Sequence, residues 1–284
     1  MSSLLDLLPQ LPVSHGVTKL IEWITVHFSF LFDALENVGT KFMEFMTSYL
    51  MLIPPLIFIL LVIVIAYFVN DRRYGLPFFA GIGLLYIQNQ NLWGNMMNTL
   101  TLIIVASLIS IVIGIPLGIL MAKSSIAQKI IQPILDFMQT MPAFVYLIPA
   151  VSFFGIGMVP GVFASVIFAL PPIVRFTNLG IRQVPEELVE AADSFGSTGW
   201  QKLYKVELPN AQSTIMAGVN QTVLLALSMV VTASMIGAPG LGTNVLTALQ
   251  RGQVGSGFVS GFALVVLAII IDRLLQSANK NHRE

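Results

Sequence analysis

Residues 96–122 read MMNTLTLIIVASLISIVIGIPLGILMA, and none of them is charged. A bilayer core about 30 Å thick is crossed by roughly 20 apolar helical residues. This stretch is long enough, and water is the wrong solvent for it. Six other apolar stretches read as spans: approximately Leu50–Val69, Gly75–Leu92, Ile131–Phe153, Val159–Thr177, Gln212–Ile236 and Gly257–Ile271, of which Gly75–Leu92 and Gly257–Ile271 are short and Asp136 and Arg175 are the charges. Over all 284 residues, 56% are hydrophobic and 10% charged, against about 25% charged in a soluble domain. So little charge cannot cover a water-facing surface. The chain therefore reads as an all-α integral membrane protein of about seven transmembrane helices.

Several functions are disfavoured at once. Net charge is zero, which argues against a nucleic-acid partner. With no cysteine there is neither a disulfide framework nor a thiolate metal site. His15, His27 and His282 are scattered, without metal-ligand spacing. The first basic residue is Lys19 and no small-residue cleavage site follows an apolar core, so the N-terminus does not read as a signal peptide.

Basic residues set the orientation, because they collect on the inner side of a membrane. If the first span runs outside to inside, eleven of fourteen fall inside: Arg72, Arg73, Lys123, Lys129, Arg175, Arg182, Lys202, Lys205, Arg273, Lys280 and Arg283. Lys19, Lys41 and Arg251 stay outside. The N-terminus is expected outside and the C-terminus inside. Residues 1–48 read as an external region and 49–284 as the membrane domain. In the former, Val17, Leu20, Ile21, Ile24, Phe28, Leu31 and Leu35 recur at helical spacing with charge between them. That describes an amphipathic helix, either on the outer membrane face with Trp23 near the headgroups or packed on the chain's own helices.

The longest run of charge lies on the inner loop, residues 182–209. Pro185 suits a first helical position, and Glu186 and Glu187 suit the positive end of the helix dipole. Leu188, Ala191, Ala192 and Phe195 make one apolar face, Glu190 lies beside it, and Gly196 supplies a left-handed stop. A second short helix, roughly Gly199–Val206, would be closed by Leu208-Pro209. A short exposed helix with two alanines on its apolar face can approach another protein closely; a plain amphipathic connector would look much the same.

Glu190-Ala191-Ala192, then Gly196, then Leu208-Pro209 resembles the EAA signature of permeases in binding-protein-dependent ABC importers. Gln139–Pro149, Phe154–Gly161, Pro171–Arg175, Ala217–Thr222 and Leu227–Ile236 resemble the glycine betaine/proline branch. The resemblance covers approximately residues 90–275. It implies the type I importer permease fold, with residues 182–209 as the loop that docks on a cytoplasmic ATPase. It also implies two ATPase subunits and an external solute-binding protein, expected as a separate chain because this one ends at Glu284. A second permease copy is expected too, preferably the same chain. The resemblance places the chain, as an expectation, in the bacterial cell membrane among lipid. No phosphate loop occurs, so ATP and magnesium belong to the partner, and no catalytic set is evident. Glycine betaine is the favoured solute, with proline and proline betaine behind it.

Few charges lie deep in the spans, and Asp136 reads as lying near the inner interface. Gln221, Ser228 and Thr232 recur at helical spacing in the sixth span. They line the solute path or else bond to neighbouring helices. Gly237–Gly242 cannot continue a regular helix and opens a segment at the outer mouth. The competing class is a secondary carrier or channel for a small zwitterion, for which intramembrane carboxylates or inverted repeats would be expected.

Overall fold

The computed structural model describes residues 13–70 and 72–280. Residues 1–12 of the N-terminal region, and His282 and Arg283 of the tail, lie outside the described residues. In chain order the helices are α1 (Val13–His27), α2 (Ser29–Leu52), α3 (Pro55–Val69), α4 (Gly75–Asn89), α5 (Trp93–Lys123) and α6 (Ser125–Thr140). A 3₁₀ turn, Ala143–Tyr146, leads to α7 (Leu147–Phe154) and α8 (Met158–Arg182). Then come α9 (Glu186–Ser194), α10 (Gly199–Lys202), a π turn at Leu203–Glu207, α11 (Leu208–Ser234), α12 (Leu241–Gln250) and α13 (Val254–Lys280).

Among the described residues, four helical stretches are long and apolar enough to cross a membrane: α5, α8, Gly199–Ser234 and α13. Two bent pairs bring the total to six if each is one span. The expected Ile131–Phe153 span is not one helix: α6 and the segment Ala143–Phe154 meet at 109°. The cause is Pro142, whose ring pushes the preceding residue out of helical geometry. Met141 is accordingly extended, with ψ 134°. Tyr146 is buried, and its hydroxyl donates to the Met138 carbonyl freed at the end of α6. Pro54-Pro55 likewise turns α2 from α3 by 90°, so Leu50–Leu52 belong to α2 rather than to the apolar helix beyond. The expected Gly75–Leu92 span is the 15-residue α4, which at about 1.5 Å per residue is shorter than a bilayer core.

Helix α8 is the axis of the molecule, between α5 and α11. Small residues bring the three backbones together, since apolar side chains alone give membrane helices little reason to associate. A Cβ on Gly118 of α5 would stand 2.7 Å from the Val174 carbonyl oxygen and 2.5 Å from the Thr177 Cβ. On Gly218 of α11 it would stand 2.7 Å from the Phe176 Cβ. Pro116, Pro171 and Pro172 lie inside α5 and α8 without ending either. At the periphery α2 rests on the chain's own helices. Phe32 stacks on Phe153 at 4.7 Å, and the Thr47 hydroxyl donates to Thr101 at 3.0 Å. Of the expected apolar stripe, Val17, Leu20, Phe28, Leu31 and Leu35 are exposed and Ile21 and Ile24 half-buried, so α2 packs through Phe32 and Thr47 rather than through that stripe.

Candidate functional site

The 182–209 loop is a folded unit joined to the body at both ends. Arg182 closes α8: its Nε donates to Asn178 Oδ1 at 2.9 Å, and a terminal nitrogen donates to the Met121 carbonyl at 2.9 Å. That carbonyl belongs to the last turn of α5, where backbone acceptors lack helical partners. At the other end Lys123 of α5 pairs with Glu207, whose side chain is only 6% exposed. Helix α9 starts one residue later than the sequence suggests. Pro185 is extended, with ψ 133°, and flanks the helix instead of opening it. Glu186 and Glu187 occupy its first turn.

The stop at Gly196 is as expected, with φ 73°. That left-handed turn lets the Gly196 N–H reach the Asp193 carbonyl at 2.9 Å and the Ser197 N–H reach the Ala192 carbonyl at 3.0 Å, the bond pair of a Schellman ending. Thr198 then caps α10 reciprocally with Gln201. Asp193 holds the two helices together: Lys202 Nζ lies 2.8 Å from both of its carboxylate oxygens. Leu208-Pro209 does not close the second helix. Pro209 has no N–H to give, and the chain widens to a π turn in which the Leu208 N–H reaches the Leu203 carbonyl. Gly199–Ser234 thus forms one 36-residue helical unit that joins the loop to α11.

The apolar face expected of α9 is divided. Ala192 is buried, whereas Leu188, Ala191 and Phe195 point away from the body, Phe195 being 91% exposed. Glu186, Glu187 and Glu190 are exposed too. The loop also presents Trp200 stacked on Tyr204, ring centres 5.7 Å apart and both exposed. These two were missed. Aromatics four residues apart in a charged segment were the available signal, since large exposed rings mark contact surfaces.

On α11, Gln221 and Ser228 are exposed and Thr232 half-buried. Thr222, Ala226, Met229, Val230 and Ala233 are buried on the other side. Interhelical bonding falls to different polar residues: Thr222 donates to the Ala169 carbonyl of α8 at 3.1 Å, and Asn220 to Asp272 of α13 at 3.1 Å. Among the described residues, Ser228 bonds within its own helix, to the Leu224 carbonyl at 2.9 Å. Gln221 borders a cleft of about 480 Å³ with Gln139, Phe168, Arg175 and Phe176. That cleft carries fixed charge. Asp136 of α6 pairs with Arg175 of α8. The sequence put Arg175 on the inner side, at the end of the expected Val159–Thr177 span; α8 continues to Arg182, leaving it about two turns inside the helix end. At the far end of α11, Gly237–Gly240 breaks the helix as expected. There a neutral cleft of about 420 Å³ is lined by Asn95, Asn244, Thr247, Gln253 and Ser256.

Residues 114–282, which include the whole loop and both faces of α11, match the family described as binding-protein-dependent transport system inner membrane component. The chain belongs to that family. It is 57% identical over 275 residues to the glycine betaine/carnitine transport permease protein of Listeria monocytogenes, covering 96% of this chain and 97% of that one. It is 45% identical over 273 residues to the glycine betaine transport system permease protein of Bacillus subtilis, covering 96% of each. To the glycine betaine/proline betaine transport system permease protein of Escherichia coli it is 46% identical, over 96% of this chain and 77% of the relative. Among solved structures, the inward-facing MetNI methionine ABC transporter matches with TM-score 0.58 and 23% identity, covering 67% of this chain and 93% of that one. An amino acid ABC transporter chain matches with TM-score 0.55 and 20% identity, covering 70% and 95%. These likenesses establish the type I importer permease fold. As a permease of this family the chain is the membrane subunit of an ABC importer, and the carrier-or-channel alternative is set aside.

Proposed function

We propose that the chain carries a compatible solute, glycine betaine foremost, by alternating access driven by ATP hydrolysis in partner subunits. The carrying observation is the 182–209 loop, clasped to α5, α8 and α11 yet offering Leu188, Ala191 and Phe195 to the outside. A rigid unit with an unburied apolar edge suits force transmission to a second protein. Glu186, Glu187, Leu188, Glu190, Ala191, Ala192, Phe195 and Gly196 form the ATPase contact and its frame. ATP and magnesium reside in that partner, and this subunit catalyses nothing. The named substrates of the relatives support glycine betaine; proline betaine and proline follow.

In this reading the loop and C-terminus are cytoplasmic, the N-terminus is external, and residues 1–48 and 49–284 divide the chain into an external region and a permease domain. Two copies, each docking one ATPase, enclose a path lined by Gln221, Ser228 and Thr232. A separate binding protein delivers solute from outside. Cysteines at Ser14 and Ser256 should react with an impermeant thiol reagent in intact cells, and cysteines at Ser197 and Ser277 should not. Single cysteines along α11 should cross-link two copies on one helical face only.

The deciding experiment reconstitutes permease, ATPase and binding protein in vesicles and measures ATP-dependent uptake of labelled glycine betaine, choline, carnitine and proline. Uptake should favour glycine betaine and vanish with Ala191→Glu. Undiminished uptake by Ala191→Glu would remove the loop from the coupling path, and no betaine uptake by wild type would remove the substrate.

A further inference from the structure

The cleft beside Gln221 carries chemistry beyond a neutral passage. Arg175 lies within a membrane helix, where ionised side chains are rare and tend to serve a substrate or ion pathway. Its guanidinium has five N–H donors, yet among the described residues its hydrogen-bond partner is Asp136 alone, and its Nε is buried with none. Asp136 itself is exposed and steadied by Gln132 at 3.1 Å. The pair can therefore open without stranding the carboxylate in a dry interior. Phe168 and Phe176 border the same cleft from α8, eight residues apart on one helical face, with Gln139 and Gln221 as neutral amides. Its volume, about 480 Å³, lies in the range of roughly 300–1,000 Å³ usual for small-molecule sites.

We propose that this cleft is a transient solute subsite within the permease. Arg175 exchanges Asp136 for the carboxylate of a zwitterion, and the solute's quaternary ammonium rests against Phe168 and Phe176. Guanidinium and carboxylate form strong, geometrically matched hydrogen bonds, and aromatic faces attract quaternary ammonium groups. Because one carboxylate replaces another, the guanidinium keeps the same number of ion pairs. Net affinity is then small, which suits a passage that must release what it binds. Asp136 acts as a built-in competitor and sets how weakly the solute is held. The substrate class rests on the proposed function; the subsite and its competitor go beyond it.

The test titrates radiolabelled glycine betaine by equilibrium dialysis against the purified permease–ATPase complex, with the binding protein omitted so that it cannot mask the cleft. Asp136→Asn should bind betaine about ten-fold more tightly than wild type, because the competing charge is gone. Arg175→Gln should weaken binding by at least about ten-fold. Choline, which has the ammonium but no carboxylate, should bind all variants alike. Should Arg175→Gln fail to assemble, the double variant Asp136→Asn/Arg175→Gln, neutral at both positions, takes its place and should also lose betaine. Betaine binding that is indifferent to both single changes, retained by the double variant, or undetectable in wild type and Asp136→Asn alike overturns the subsite. A reconstituted wild-type system that imports betaine while the dialysis result fails leaves the proposed function standing and removes only the subsite. Failure of wild-type import removes the proposed function instead.

Discussion

Helices α8 and α9 follow one another in the chain and face opposite demands. In α8, fifteen of twenty-five residues are buried, and both flanking helices touch its backbone through glycine. In α9, Ala192 alone of nine residues is buried. The first helix is complete within this chain. The second is held by its ends, through the Schellman turn, the Asp193–Lys202 pair and the Lys123–Glu207 pair, and its outer side is exposed. Packing therefore fixes where α9 sits and leaves its outer side open to the ATPase contact proposed above. Substitutions that disturb folding most should fall near α8, and those that disturb the partner most should barely disturb folding.

The largest folding effect is expected from Gly118→Val. Its side chain would have to displace the Val174 carbonyl and Thr177, and overpacking a tight contact costs about 3 kcal/mol or more. Membrane yield and thermal unfolding of the purified chain would register it, and a normal yield would mean that α5 and α8 are less intimate than described. Next comes Lys123→Met, which leaves Glu207 buried without its partner. Breaking a fully buried pair costs about 3–5 kcal/mol, but Lys123 is 39% exposed, so about 2 kcal/mol is the expected loss. Faster hydrogen exchange confined to residues 199–214 would be its signature.

Gly196→Val should cost less still, about 1 kcal/mol, the penalty of a left-handed backbone for a residue with a Cβ. Membrane insertion should be normal while uptake fails, because the end of α9 turns the wrong way; normal uptake would sever the loop from coupling. Smallest for the fold is Phe195→Ala, whose exposed ring should change stability by no more than about 0.5 kcal/mol. Its effect on ATPase association should nonetheless reach about ten-fold, read by co-purification at graded salt. Equal association with wild type would show that the outer edge of α9 has no partner in the importer.

Much of the loop was legible because its signals are local. A glycine at a required left-handed position, acidic residues at a helix start and two alanines in sequence are statements about neighbouring residues. The bend at Met141–Pro142 was harder, because membrane helices also carry prolines without bending sharply, as Pro116, Pro171 and Pro172 do here, so Pro142 alone says nothing of chain direction. Asp193 and Glu207 looked like two more acids in a charged loop. Their roles depend on Lys202 and Lys123, which folding brings to them. On α11, spacing put Gln221, Ser228 and Thr232 on one face, and that face is the less buried one. The same spacing could not tell that Thr222 and Asn220 would take the interhelical bonds.

The sequence by itself determined the solvent, the helical class, the loop and its stop, since uncharged runs, prolines and glycines act through the energetics of their own backbone and side chains. Tertiary structure alone decided that Leu208-Pro209 continues a helix rather than ending one, and that the cleft beside Gln221 holds Arg175 against Asp136. Both depend on groups distant in sequence: an ion pair is stable only where packing brings two side chains together and limits the water around them, and no local pattern encodes that distance.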